Sequence, residues 1–180
     1  NVMYIMLPSR LNEYPRGSTK LTTLSLQPKR RNSSMVLGKA ASLLLVLLNG
    51  FFVLAEFAIV KVRATRLEQL AEGGAQDAKV ALHVVSRLDD YLSATQLGIT
   101  LASLGLGWIG EPAVTTLLEP VLTAAGIGRP ELVHSISVGV GFAAITFLHV
   151  VVGELAPKAL ALDRPGPVAL FCAGPLLVFG

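Results

Sequence analysis

Two glutamates lie inside or beside long apolar runs, where an ionisable side chain is energetically unfavourable. Glu56 falls within the run LLLVLLNGFFVLAEFAIV, and Glu154 directly follows the apolar run 132–153. A charge in the core of a bilayer is costly, so both residues are candidate functional groups. Glu56 can serve as a cation ligand or as the partner of a buried basic group. It can equally be an interfacial residue that pairs with Lys61 or Arg63.

The run Gly153-Glu154-Leu155-Ala156-Pro157-Lys158 combines a carboxylate with a helix-breaking residue. Pro157 has no backbone N–H, so it leaves a carbonyl one turn earlier without its helical partner. A freed carbonyl near Gly153 and the carboxylate of Glu154 predict an oxygen-rich site, which suits Mg²⁺. The alternative is an ordinary helix end, in which Glu154 and Lys158 form an i,i+4 ion pair.

A second group of polar residues occupies another apolar run. Gln96, Thr100 and Ser103 fall within two helical turns, broadly on one face, with Gly98 beside them. Their hydroxyl and carbonyl oxygens form a candidate cation site. The alternative is that the hydroxyls serve helix packing, which is their more frequent use in membranes.

Two further polar positions are candidate supporting residues. His149 lies one turn before Gly153, where it can relay protons, ligate a metal or bond to a neighbouring helix. The pair Asn49-Gly50 lies inside the first apolar run and indicates either a kink or close helix packing.

The composition of the chain indicates which environment these residues occupy. The 180-residue chain is 52% hydrophobic and 15% charged, with mean hydropathy +0.62. Soluble domains carry about 25% charged residues. No nucleotide-binding, hydrolase or zinc-protease motif occurs, so we predict that the chain is not an enzyme. The chain has few aromatics and its basic residues flank the apolar runs, so nucleic acid is not an expected partner.

The apolar runs predict an all-α integral membrane protein with three transmembrane helices, at about 40–60, 91–109 and 132–153. Residues 61–90 predict two short amphipathic helices along the membrane surface, separated at Gly73-Gly74. Glu111-Pro112 is expected to end the second span before a short helix over 113–125. The apolar segment 168–180 is the start of a further helix, in which Cys172 is a packing residue.

Residues 1–34 are polar and irregular, and we expect them to be disordered or non-native, with a membrane domain over 35–180. Orientation follows from the basic residues near the ends of the spans. The loop 61–90 holds five Lys and Arg residues (Lys61, Arg63, Arg66, Lys79, Arg87), whereas the loop 110–131 holds only Arg129. This pattern predicts a multi-pass protein with 61–90 in the cytoplasm and the N-terminus outside. The basic cluster Lys29-Arg30-Arg31 before the first span argues for the opposite orientation.

Three runs together resemble a known family. They are LNGFFVLAEFA (48–58), YLSATQLGITLASLG (91–105) and TFLHVVVGELAPK (146–158). They look like the transmembrane domain of the CNNM/CorC (HlyC/CorC-type) magnesium transporter family, over residues 36–180. The chain departs from the family pattern in the first span, where Phe52-Val53-Leu54-Ala55-Glu56 replaces a serine-bearing turn.

The resemblance implies a homodimer in the plasma membrane that transports Mg²⁺, with Na⁺ as a proposed coupling ion. It implies an ion site between the spans that uses Glu154 and the positions near Gly98, Thr100, Ser103 and Gly153. The cytoplasmic CBS pair and C-terminal domain of family members are not expected within these 180 residues.

Our functional hypothesis is therefore the transport of divalent cations, as Mg²⁺ export or Na⁺/Mg²⁺ exchange. The supporting residues are Glu56, Asn49, Gln96, His149, Pro157 and Lys158. The alternative is a membrane anchor or scaffold, or a truncated fragment, that acts through cytoplasmic regulatory domains.

Overall fold

The computed structural model describes residues 29–127 and 129–179, all in helices and short turns. In chain order the helices are α1 (Lys29–Lys61), α2 (Ala64–Glu72), α3 (Gln76–Ser86), α4 (Leu88–Ala124), α5 (Pro130–Val150), a π-helical turn (Val151–Leu155), α6 (Ala156–Asp163) and α7 (Pro165–Leu176).

The expectation of disorder over 1–34 is only partly open to comparison, because residues 1–28 lie outside the described part. α1 begins at Lys29, so the last residues of that segment are helical rather than disordered. The difference has a simple physical reason. Once a long apolar helix has formed, each added residue gains a backbone hydrogen bond at little cost, and residues 29–34 contain no Pro or Gly.

Three helical stretches are long and apolar enough to cross a membrane: Val36–Lys61, Leu88–Ala124 and Pro130–Asp163. The predicted all-α integral membrane protein with three spans is therefore confirmed. The end of the bundle that holds α2, α3, α6 and α7 is called the inner end below. The opposite end, where residues 125–129 connect α4 to α5, is called the outer end.

The expected end of the second span at Glu111-Pro112 is wrong. α4 continues through both Pro112 and Pro120 as far as Ala124. A proline removes one backbone hydrogen bond, and transmembrane helices tolerate this where neighbouring groups and local adjustments compensate. The predicted separate helix over 113–125 is the outer part of α4.

The third span is also longer than 132–153. α5 passes without a break into the π-helical turn and then into α6, which ends at Asp163. In this turn the N–H of Ala156 bonds to the carbonyl of Val151, five residues back. The chain therefore stays helical through the proline region, and the turn absorbs the change in register.

The two short helices predicted between 61 and 90 are present as α2 and α3. They are separated around Gly73 and Gly74, and Gly74 adopts a φ of +93° that favours glycine. The apolar faces of both helices are buried inside the protein, through Leu67 on α2 and through Ala78, Ala81 and Val84 on α3. α3 packs against both α7 and α2.

The main core lies at the inner end, where residues of α1, α2, α3, α6, α7 and the start of α4 form one cluster. α1 contributes small and branched residues, and the other helices close around them (Ala55, Ala58, Ile59, Leu67, Ala81, Tyr91, Ala161, Ala169, Cys172, Leu176). Cys172 is fully buried among these residues, which confirms its packing role.

Close helix contacts depend on glycines that face a neighbouring helix. A β-carbon on Gly98 of α4 would lie 2.5 Å from a ring carbon of Phe52 on α1. The ring has little room to retreat, because it is buried and makes edge contacts with Phe51 and Phe179. Gly107 lies on the same helix, and a β-carbon there would meet nothing within 4 Å.

The substitution Gly98→Ala is expected to destabilise the protein by about 1–3 kcal/mol, because the added methyl overpacks the contact with Phe52. Gly107→Ala is the matched control on α4 and should be neutral or slightly stabilising. Thermal unfolding of both variants in detergent measures the difference. Equal unfolding temperatures would show that Phe52 does not pack on Gly98.

Candidate cation site

The carbonyl oxygen of Gly153 is the centre of the candidate site. In a regular α-helix this oxygen accepts a hydrogen bond from the N–H of residue 157, which here is a proline. The side chain of Asn49 on α1 replaces the missing donor, with its Nδ2 atom 2.9 Å from the Gly153 oxygen. The Gly153 carbonyl, one turn before Pro157, is therefore bound across the bundle.

The approach of α1 to the π-helical turn requires a glycine beside Asn49. A β-carbon on Gly50 would lie 3.2 Å from Cγ of Pro157 and 3.3 Å from the carbonyl oxygen of Val152. Gly153 is similarly confined, since a β-carbon there would lie 3.1 Å from Nδ2 of Asn49. The interpretation of Asn49-Gly50 as a close packing position is therefore confirmed.

Ser103 of α4 joins the same group. Its hydroxyl lies 3.2 Å from Oδ1 of Asn49 and 3.2 Å from Nε2 of His149 on α5. Asn49 is only 1% exposed. The four residues Asn49, Ser103, His149 and Gly153, called the polar cluster below, join α1, α4, α5 and the π-helical turn.

The hydrogen bonds in the polar cluster run in one direction. A carbonyl oxygen only accepts, so the amide nitrogen of Asn49 must face Gly153 and its oxygen must face Ser103. That amide oxygen also only accepts, so the Ser103 hydroxyl donates to it and accepts from His149. His149 therefore carries a proton on Nε2, an assignment made from the network.

Two residues predicted to share the site do not reach the cluster. Thr100 and Gln96 are both exposed, and the Thr100 hydroxyl donates to the Gln96 carbonyl at 2.8 Å. Ser103 lies far enough around the helix to face α1, whereas Thr100 turns toward the outside of the bundle. The ring of Phe52 covers Gly98, which faces α1 without joining the cluster.

The charged residues surround the cluster without entering it. Glu154 is exposed, and it forms no ion pair with Lys158 in the described part of the chain. The alternative of an i,i+4 pair is therefore not realised. The Lys158 ammonium instead lies 4.5 Å from the centre of the Phe57 ring. Glu56, one residue before Phe57, is half-buried.

The cluster offers oxygen ligands rather than a set for a transition metal. Among the described residues no group of three or more His, Cys, Asp or Glu side chains lies close enough to hold a metal ion. The available oxygens are the Gly153 carbonyl, the Asn49 amide oxygen and the Ser103 hydroxyl. Such neutral oxygens suit a hard cation, with a carboxylate nearby to supply charge.

Sequence reasoning gave Asn49 a minor place, although it makes the central contact. The sequence did contain an indication of this contact. Asn49 is an amide inside the first apolar run, and Pro157 in the third span cannot donate a backbone hydrogen bond to a carbonyl one turn earlier. Spacing along the chain does not show which residue of α1 faces Gly153, because this depends on how the helices are rotated against each other.

Comparison with known proteins relates the chain to one family. A family model described as the cyclin M (CNNM) transmembrane N-terminal domain matches residues 40–180. The chain is 51% identical over 136 residues to UPF0053 protein YhdT of Bacillus subtilis, covering 75% of this chain and 29% of that protein. It is 46% identical over 145 residues to UPF0053 protein YugS of the same organism, covering 81% and 34%.

A more distant relative is an uncharacterized protein, Rv1841c, of Mycobacterium tuberculosis. It is 40% identical over 138 residues, which cover 77% of this chain and 39% of the relative. The chain thus spans about a third of the length of these curated relatives, at 29%, 34% and 39% of each.

Asn49→Ala is expected to destabilise the protein by about 1–3 kcal/mol, because it removes the side-chain donor to the carbonyl of buried Gly153. Ser103→Ala should cost less when Asn49 is already absent, because the two side chains bond to each other. Thermal unfolding of the single and double variants measures this coupling. Thr100→Ala, which removes only a bond within α4, is the control, and strictly additive effects would contradict the network.

Proposed function

The chain belongs to the CNNM transmembrane-domain family, and on this premise we propose that it transports divalent cations across the membrane, with Mg²⁺ as the expected ion. The observation that carries the proposal is the Gly153 carbonyl, which Pro157 deprives of its helical partner where three membrane helices meet. A carbonyl held away from its own helix is an oxygen that can bind a cation.

The binding step that we propose exchanges hydrogen bonds for ion contacts. With Asn49 in its present orientation, its amide hydrogens occupy the Gly153 oxygen. A cation takes that oxygen when the amide turns, which brings the Asn49 oxygen toward the ion. Ser103 lies beside both groups and can add its hydroxyl oxygen. Mg²⁺ dehydrates reluctantly, so we expect the ion to keep some of its water molecules.

Glu154 supplies the charge that the neutral oxygens lack. It follows Gly153 directly in the π-helical turn, and its side chain is exposed in the single chain. A carboxylate facing lipid at this depth is costly, so we propose that it faces a water-filled cavity or a second copy of the chain. This argument supports the homodimer that the family resemblance implies.

Direction, coupling and location belong to the same proposal. The distribution of Lys and Arg favours an N-terminus outside the cell and residues 61–90 in the cytoplasm. In this orientation α2, α3 and α6 lie on the cytoplasmic side, within a protein of the plasma membrane. Export of Mg²⁺, or its exchange for Na⁺, is the direction that we propose, on the basis of the family resemblance.

One observation favours a second function, that of a membrane anchor or scaffold for cytoplasmic regulatory domains. The described side chains satisfy one another in the polar cluster, so the bundle needs no ion to complete its hydrogen bonds. The apolar residues Val53 and Ala55 in the first span also offer no ligand. A scaffold of this kind predicts a stable protein without ion flux.

Mg²⁺ is expected to raise the unfolding temperature of the purified protein, and Glu154→Gln should abolish this rise. A ligand that binds only the folded state adds about 2.7 kcal/mol of stability at a hundred times its Kd. Glu131→Gln, an exposed carboxylate at the start of α5, is the matched control and should respond like the wild type. A Glu154→Gln variant stabilised as strongly as wild type would remove Glu154 from the site.

Ion flux in liposomes separates transport from the scaffold function. We expect Mg²⁺ flux from the wild-type protein and at least a severalfold loss in Glu154→Gln, because the site then lacks its carboxylate. A stable, monodisperse protein that gives no flux with or without a Na⁺ gradient would favour the scaffold.

The proposed homodimer is tested by the mass of the particle in mild detergent. Light scattering with the detergent contribution subtracted should give twice the mass of the 19.0 kDa chain. A second copy that covers Glu154 should also protect Glu154→Cys, in a Cys172→Ala background, from a bulky thiol reagent. A monomeric mass across a range of protein concentrations would contradict the dimer.

A further inference from the structure

Two hydroxyl groups at the contact between α4 and α5 have no hydrogen-bond partner among the described residues. They belong to Thr115, which is 6% exposed, and to Ser137, which is fully buried. A buried polar group without a partner is unfavourable, and each such group needs an explanation. Both residues lie closer to the outer end than the polar cluster does.

The other hydroxyls show that this situation is avoidable. Serine and threonine in a helix commonly donate to a carbonyl three or four residues back. In this chain several do so, including some on α4 itself (Ser42, Ser93, Thr95, Thr100, Thr116, Thr123). Thr115 and Ser137 form no such bond, although both lie within regular helix.

Small residues allow α4 and α5 to meet closely at this level. A β-carbon on Gly141 would lie 3.1 Å from the hydroxyl oxygen of Thr115 and 3.3 Å from its backbone nitrogen. A β-carbon on Gly110 would lie 2.8 Å from Cγ1 of Ile145. The contact that runs from Gly110 to Glu119 on α4 and from His134 to Ile145 on α5 is called the α4–α5 seam.

The outer end of the seam is polar and open. The imidazole Nδ1 of His134 lies 3.0 Å from a carboxylate oxygen of Glu119. Both residues line a cavity of about 400 Å³, together with Thr123 and the turn between the helices. Its carboxylate and hydroxyl groups can receive a hydrated cation.

The inner end of the seam is closed by apolar side chains. Val46, Leu106 and Ile145 form a separate buried cluster, with Leu45 and Val114 packed against it. In this cluster, Leu106 lies between Thr115 and Ser103 on α4, and Ile145 lies between Ser137 and His149 on α5. At about 1.5 Å per residue, the distance along α4 from Ser103 to Gly110 is only roughly 10 Å.

We infer that the α4–α5 seam is the outer access path for the transported cation, and that Val46, Leu106 and Ile145 form its gate. The inference rests on the proposed function, since it connects the polar cluster to the outer cavity. In the open state, water reaches the hydroxyls of Thr115 and Ser137 and supplies the partners that they lack in the closed seam. Dewetting of the apolar cluster closes the path.

The order of groups along the two helices supports this assignment. From the cavity inward they are the Glu119–His134 pair, the two hydroxyls, the apolar gate and the polar cluster. Along α4 the distance from Glu119 to Ser103 is roughly 24 Å, and the two unpaired hydroxyls lie between the outer pair and the gate. Because Gly110 and Gly141 have no side chains, α4 and α5 can close against each other at this level without displacing a bulky group.

Thiol labelling tests whether water enters the seam. Cys172 is the only cysteine of the chain, so Cys172→Ala gives a background without thiols. In this background Thr115→Cys and Ser137→Cys are expected to react with a charged, membrane-impermeant methanethiosulfonate in liposomes. Only the hydrated thiolate reacts, so both should label on the order of tenfold faster than a thiol in lipid.

Phe142→Cys is the matched control, because Phe142 follows Gly141 directly but faces the outside of the bundle with 63% exposure. Labelling of the two seam cysteines at the rate of Phe142→Cys would overturn the inference. It would show that the seam stays dry in every state that the protein visits.

Ser137→Ala provides a second measurement that does not depend on an introduced thiol at this position. It removes one unpaired buried hydroxyl and favours the closed seam, so the unfolding temperature should rise and the labelling of Thr115→Cys should slow. A lower unfolding temperature, or unchanged labelling, would contradict an opening seam.

These measurements separate the access path from the proposed function. Labelling and unfolding require no Mg²⁺ and no flux. Fast labelling of the seam cysteines in a protein that Mg²⁺ does not stabilise would contradict the proposed cation but support the access path. Slow labelling in a protein that Mg²⁺ stabilises through Glu154 would reject the path and keep the function.

Discussion

A single buried carbonyl governs the arrangement of the membrane helices. Pro157 removes the donor that the Gly153 oxygen needs, and an unsatisfied backbone group in hydrocarbon costs several kcal/mol. Asn49 on α1 supplies a donor, with its Nδ2 atom 2.9 Å from the Gly153 oxygen. This hydrogen bond sets the distance between α1 and the π-helical turn. Gly50 permits that approach because no side chain stands between α1 and Pro157.

The remaining contacts of the cluster follow from satisfying Asn49. Its amide oxygen is turned away from Gly153 and needs a donor, which Ser103 provides from α4. The serine oxygen in turn accepts from His149 on α5. One missing backbone donor thus determines the orientation of side chains on three helices. The cluster lies about 16 Å along α1 from Val60, near the middle of a bilayer core about 30 Å thick.

Much of the fold could be predicted because its signals are local. The length of the apolar runs predicted the three spans, and the glycine pair predicted the break between α2 and α3. Helix continuity through Pro112 could not be predicted, because the compensation for a proline comes from the surroundings. The rotation of α4 about its axis could not be predicted either. Thr100 and Ser103 are one turn apart, and only packing against α1 decides which of them faces inward.

The two halves of the bundle differ in how firmly they are held. At the inner end, α1 is enclosed by α2, α3, α6 and α7, and most buried apolar residues lie there. Among the described residues, the outer half has the small cluster of Val46, Leu106 and Ile145, and beyond it Val133 with glycine and hydroxyl contacts. Local opening concentrates where few apolar contacts must be broken. The outer halves of α4 and α5 are therefore held by fewer buried apolar side chains than the inner core, which holds α1 against α3, α6 and α7.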